Sequence, residues 1–97
     1  MAAYVIAEVA VNDPEGYEAY KNAVEVTIAQ YGGRYKVRGG QSEALEGDAP
    51  RGRFVVLEFD SYEQAKQWYD SPENAVAKTI RHATATSRLI LVDGYTL

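Results

Sequence analysis

A β-like run, a capped amphipathic helix and a second β-like run follow one another twice in this chain. The first pass covers Ala3–Val11, Asp13–Tyr31 and Arg34–Arg38; the second covers Arg53–Asp60, Ser61–Ala85 and Arg88–Tyr95. Two such units within 97 residues specify an α+β fold, the ferredoxin-like split βαβ sandwich: a four-stranded antiparallel sheet with helices on one face. The length suits a single domain, residues 1–97. The sheet's other face then has no cover within the chain.

The strands alternate. In the first, Val5, Ala7, Val9 and Val11 are uniformly apolar and belong under the helices, while Tyr4, Ile6, Glu8 and Ala10 form a mixed set for the open side. In the second, Tyr35 and Val37 share one side and Arg34, Lys36 and Arg38 the other. Gly39-Gly40 predicts a bulge or kink, with a strand remnant at Ser42–Leu45 and a turn at Glu46–Pro50. The third places Val55, Leu57 and Phe59 opposite Phe54, Val56, Glu58 and Asp60. The fourth runs over Arg88–Val92 and ends at Asp93-Gly94.

Both helices carry start signals. Asp13 caps, Pro14 suits the first helical position and Glu15 complements the dipole. Tyr17, Tyr20, Val24, Ile28 and Tyr31 make one stripe, and Gly32-Gly33 stops the helix. Ser61-x-x-Gln64 is a capping box. Ser71-Pro72-Glu73 is a further start signal, so the second helical region breaks near Asp70–Ser71. Its second piece, about Glu73 to Ala83, is expected to turn Val76, Ile80 and Ala83 inward.

Composition removes several functional classes. A net charge of −4 without a basic stripe argues against nucleic acid. No cysteine is present, so disulfides, thiolate nucleophiles and Cys-ligated metals are excluded. No membrane-spanning run or signal sequence is read, and a cytoplasmic home is expected. The glycine pairs lack the strand–loop–helix setting of a phosphate loop, and the lone His82 has no companion ligands for a metal. No cofactor is implied.

An uncovered sheet face with Tyr4, Ile6, Phe54 and Val56 among charges is an exposed patch on a small domain, and two copies packed face to face would bury it. A homodimer is therefore expected. Burial there demands that charges pair, with Arg38 opposite Glu58 or Asp60. Glu8 and Glu58, on adjacent strands, are expected to raise each other's pKa, which is the situation of a general acid or base. The competing reading is an interfacial ion-pair network. On the enzymatic reading, an unidentified small molecule sits between sheet and helices. Glu58 acts as acid or base, and Arg38 anchors an anionic or carbonyl group. Trp68 and Tyr20 wall the pocket, with Glu8, Arg34 and His82 as further contacts. The alternative is a non-catalytic structural or stress-related binding module.

The run Tyr31–Gly40, then Leu45-Glu46-Gly47, Arg53–Phe59, Trp68–Glu73 and Val92-Asp93-Gly94 resembles a bacterial family called domain of unknown function 1330. The matching motif residues are Arg34, Arg38, Gly39, Gly40, Glu46, Gly47, Arg53, Glu58, Trp68, Ser71, Glu73 and Arg81. The family is similar to the dimeric α+β barrel superfamily, which includes cofactor-free monooxygenases, muconolactone isomerases and stress-responsive proteins. The resemblance implies that fold and, for chemistry, an isomerase, lyase or monooxygenase-like reaction without a cofactor. Asn74 stands where the family usually has an aromatic residue, a departure expected to re-shape the cleft under the second helix. Asp93 replaces the family's usual Glu.

Overall fold

The computed structural model describes residues 1–95. Along the chain lie β1 (Ala3–Val11), α1 (Pro14–Gln30), β2 (Arg34–Arg38), β3 (Arg53–Phe59), α2 (Tyr62–Asp70), α3 (Pro72–Thr84) and β4 (Ala85–Asp93). The sheet order is β2-β3-β1-β4 and every neighbouring pair is antiparallel. This is the split βαβ order that the duplicated pattern predicts.

The caps behave as their residue types dictate. The Asp13 carboxylate accepts the Gly16 amide at 3.2 Å, and the Ser61 hydroxyl accepts the Gln64 amide at 3.0 Å, but the Gln64 side chain donates to the Tyr31 carbonyl, so the expected capping box is only half made. Gly32, at φ +75°, turns the chain out of α1 while Gly33 N–H donates to the Ile28 carbonyl at 2.9 Å. Ser71 closes one helix and opens the next: its hydroxyl donates to the Trp68 carbonyl at 2.8 Å and accepts the Asn74 amide at 3.1 Å.

The core lies between the sheet and the helices. Val5, Leu57 and Phe59 from the sheet meet Val24, Ile28, Ala65, Trp68 and Ala77 from the helices. The Trp68 indole N–H donates to Thr27 Oγ1 at 3.0 Å, and that hydroxyl donates to the Val24 carbonyl at 2.8 Å, so these two buried polar groups are satisfied.

Four features depart from the sequence reading. The first is a bulge at Lys36: Tyr35 pairs with Leu57, but Val37 pairs with Val56 and Arg38 with Val55. One extra residue moves every side chain beyond it to the other face. Val37 therefore joins the open face and Arg38 joins Tyr35 on the helix face. Gly39 lies three residues later, at φ +72°, where its missing side chain leaves the place that the Arg53 guanidinium fills. The second is Ser42–Leu45, which forms no strand; the whole stretch from 39 to 52 lacks helix or strand.

The third is the phase of α3. Its buried residues are Asn74, Ala77, Arg81 and Thr84, whereas Val76 is 65% exposed, Ala83 is exposed and Ile80 is half-buried. The Ser71 cap fixes where the helix begins, and each residue advances the face by about 100°. Ala77 is small enough to let α3 approach α1, which places Arg81 against Tyr20. The fourth is β4, which begins at Ala85 directly after α3. The amides of Asn12 and Asp13 both donate to the Thr84 carbonyl, at 2.8 and 3.0 Å, which extends the β1–β4 ladder to its end.

On the open face, Val37, Val56, Ile6 and Ile90 stand in one register row across all four strands. One neighbouring row reads Arg34, Glu58, Tyr4, Val92, and the other includes Phe54, Glu8 and Arg88. Val37 is 40% and Ile90 43% exposed, so the apolar row faces solvent in a single chain.

Candidate functional site

A cavity of about 40 Å³ lies between the sheet and the helices. Val5, Ala7, Val9, Val55 and Leu57 form its floor; α1 contributes Tyr17, Tyr20 and Lys21, β2 contributes Tyr35 and Arg38, β3 contributes Arg53, and α3 contributes Arg81. Four cations and three phenols thus converge there, and no carboxylate lines it. In a chain of net charge −4 that concentration of positive charge is local, set by which residues the fold turns inward.

The cations divide into two pairs. Lys21 and Arg38 are partly exposed at the rim, and each meets a carboxylate of α1: Lys21 with Glu18 at 2.9 Å and Arg38 with Glu25 at 3.4 Å. Arg38 also lies over the Tyr35 ring, 4.3 Å from its centroid. Arg53 and Arg81 lie deeper. Among the described residues neither makes an ion pair, and the Nε–H of each is buried with no hydrogen-bond partner. Arg81 is 2% exposed, and among the described residues its one side-chain hydrogen bond runs from Nη1 to the Tyr20 hydroxyl at 3.2 Å.

The phenols are pressed together, with Tyr17 and Tyr20 centroids 5.1 Å apart. Burial raises the Tyr17 pKa, an effect that nearby Arg53 and Arg81 oppose. Burial raises the Tyr35 pKa as well, against the pull of Arg38 and Arg53. Both side chains therefore remain O–H donors at neutral pH. Chemically, the cavity offers guanidinium and phenol donors on an apolar floor, the complement of a small oxyanion.

The residues singled out from sequence fall in three places. Arg38, Tyr20 and Trp68 line the cavity. Glu58, Arg34 and Glu8 stand on the open face instead, so Arg38 and Glu58 are separated by the sheet; the Lys36 bulge is the reason. Arg34 takes the partner role expected of Arg38, reaching Glu58 at 3.1 Å and Asp60 at 3.0 Å. The Tyr4 hydroxyl donates to Glu58 at 3.0 Å. That bond and those from Arg34 lower the Glu58 pKa, the reverse of the rise expected from Glu8. Glu8 is paired across the strands with Phe54 and Arg88, four positions along β1 from Tyr4 and Glu58, and accepts the Arg51 amide at 3.1 Å. His82 is exposed on α3, one residue round from Arg81 and outside the cavity.

Arg53, Arg81, Tyr17 and Tyr35 complete the cavity without having been marked as site residues. The available signal was the place of Arg53 and Arg81 among the family motif residues. Asn74 is fully buried at the α2–α3 junction, where Nδ2 donates to the Tyr69 carbonyl at 3.3 Å, and it does not line the cavity. Among the described residues no three His, Cys, Asp or Glu side chains converge, and no helix is long and apolar enough to cross a membrane.

Sheet order and helix placement together define a ferredoxin-like α+β protein. The chain belongs to the family described as "Domain of unknown function (DUF1330)", whose model matches residues 2–95. No curated protein matches it by sequence. Among solved structures it is similar to a protein of unknown function from Rhodopseudomonas palustris, with a TM-score of 0.79 at 20% identity over 99% of this chain and 84% of the other. It is also similar to SnoaB, a cofactor-independent oxygenase from Streptomyces nogalater, at TM-score 0.67, 15% identity and coverage of 99% and 95%. Rv0793 from Mycobacterium tuberculosis gives 0.58 at 16% identity, covering 100% and 98%. These likenesses concern the fold.

Proposed function

We propose that this chain is a homodimeric protein that takes a small molecule into the cavity between sheet and helices and serves cofactor-free chemistry or capture there. The observation that carries the reading is the cavity itself: Tyr17, Tyr20, Tyr35, Arg53 and Arg81 converge on an apolar floor. Few convergent polar groups on an apolar lining is the usual make-up of a ligand site. SnoaB, a cofactor-independent oxygenase, is built on a similar fold, which supports chemistry that needs only side chains and substrate.

The dimer reading rests on the row Val37, Val56, Ile6, Ile90. Two such rows brought together about a two-fold axis would exclude water from both, with the Tyr4–Glu58–Arg34 cluster beside them. Glu58 is held ionised by its donors and sits a sheet's thickness from the cavity, so its place in this reading is the interface and not the reacting centre.

The test is the particle mass by sedimentation at micromolar concentration, for the native chain and for Ile6→Glu. Ile6 lies at the centre of the row, between Val56 and Ile90. The native chain is expected to sediment at twice the chain mass and the variant at the chain mass, folded by circular dichroism. A native particle of single-chain mass defeats the dimer.

A further inference from the structure

Among the described residues the inner cations of the cavity have no counter-charge, and a guanidinium inside a protein keeps its charge. Burying it without a partner is costly, and proteins normally satisfy such groups. Arg81 is 2% exposed with a free Nε–H, and the Arg53 Nε–H is likewise buried and unpartnered. Both line one cavity from which every Asp and Glu is absent. Two of the three carboxylates on α1, Glu18 and Glu25, are bound to the rim cations Lys21 and Arg38, and the third, Glu15, lies in the first turn and does not line the cavity.

Building on the small-molecule reading, we infer that the cavity is a receptor for the carboxylate or enolate group of a small organic acid, with Arg81 and Arg53 as its inner anchors. Two flat guanidinium groups, each with N–H groups in a fixed fork, suit a planar two-oxygen anion. The buried Tyr17 hydroxyl and the Tyr20 hydroxyl add O–H groups beside them. The room fits the anionic head of a ligand and not a whole one: about 40 Å³ holds two or three water molecules, whereas complete ligand sites run to about 300 Å³ or more. The ligand's body then lies toward the rim, beside Tyr20 and Tyr35 and between Lys21 and Arg38. A planar unsaturated or aromatic acid meets those requirements best.

The probes are benzoate and acetate, each matched against its neutral amide, at constant chloride ionic strength. Thermal shift and Trp68 fluorescence are read for the native chain, Arg81→Met, Arg81→Lys, Arg53→Met and Arg51→Met. Arg51 is exposed and outside this cavity. Benzoate is expected to raise the melting temperature and benzamide to leave it unchanged, with acetate weaker than benzoate. Arg81→Met and Arg53→Met are each expected to weaken benzoate binding on the order of 10- to 100-fold, the loss of one charge-assisted contact. Arg81→Lys restores charge without the fork and falls between. Arg51→Met binds as the native chain does. Equal response to benzoate and benzamide overturns the anion receptor while leaving the pocket reading intact. Unchanged benzoate affinity in both Arg81→Met and Arg53→Met overturns the assignment of the anchors. Silence toward all four probes defeats receptor and pocket together.

Discussion

Arg81 is held in the interior at a cost to the ligand-free protein, and Arg81→Met measures that cost. The effective penalty for taking a charged side chain out of water is several kcal/mol after relaxation. Three contacts offset it. The bond to the Tyr20 hydroxyl contributes about 1.5–3 kcal/mol as a hydrogen bond to a charged group. The last-turn position in α3 adds about 0.3–1 kcal/mol from the helix dipole. The Tyr20 ring, 5.5 Å away, adds about 0.5–1 kcal/mol. These sum to roughly the penalty, so the buried charge is close to neutral. Met keeps the unbranched stem, adds an adaptable apolar end and removes the unpartnered Nε–H, at the loss of the bond to the Tyr20 hydroxyl. We expect Arg81→Met to be more stable than the native chain by about 1 kcal/mol, a rise of about 4–8 °C in melting temperature for a domain of this size. The assay is urea unfolding followed by the fluorescence of Trp68, the single tryptophan, in buffer without carboxylate or phosphate. A loss above about 1 kcal/mol would mean that Arg81 is a structural strut whose interactions outweigh its desolvation, and the reasoning that it awaits an anion would fall.

Two further outcomes follow from named contacts. The Tyr4 and Arg34 bonds lower the Glu58 pKa from its ordinary value of 4.5. A depressed carboxyl pKa stabilises the fold above that value and the stabilisation drains away as pH falls through the folded-state pKa. Glu58→Gln is therefore expected to be less stable at neutral pH and to show a shallower fall in urea midpoint below about pH 4.5; parallel curves for the two proteins would count against it. Ser71→Ala removes both the cap on α3 and the bond to the Trp68 carbonyl, and should cost about 2 kcal/mol, read as a lower melting temperature by circular dichroism. A cost under about 0.5 kcal/mol would show that packing alone fixes the α2–α3 corner.

Strand and helix identities were legible because each rests on local chemistry. Asp13-Pro14, Ser61-x-x-Gln64 and Ser71-Pro72 each supply a cap that starts a helix here, and the alternation in β1 leaves only one face fit for a core. The Lys36 bulge was not legible in this way. Arg34-Tyr35-Lys36-Val37-Arg38 alternates without a break, and Gly39-Gly40 draws attention to the wrong place for a kink. The bulge is set by tertiary demands: Tyr35 caps the cavity beside Arg38, and a regular strand would have sent Val37 inward and Arg38 out to the sheet's bare side. The same slip moved the expected Arg38–Glu58 pair apart and gave Glu58 to Arg34.

The α3 misreading and the hidden site share one cause. Hydrophobic periodicity assumes that the inward face is the more apolar one. In α3 that assumption selects Val76, Ile80 and Ala83, yet the helix buries Asn74, Ala77, Arg81 and Thr84. Val76 is left 65% exposed so that Arg81 can be sealed at 2%. A helix chosen for stability alone would rotate to bury its valine, since that change lowers the free energy of an empty chain while releasing a nearly neutral buried arginine costs it little. The Ser71 cap and the close contact allowed by Ala77 hold it in the other phase. Departure from the stable arrangement at a buried face is where a functional or strained site is expected to register in a sequence. Of the buried stripe of α3, Arg81 alone reaches the cavity, where it meets Tyr35, Arg38 and Arg53 from the strands.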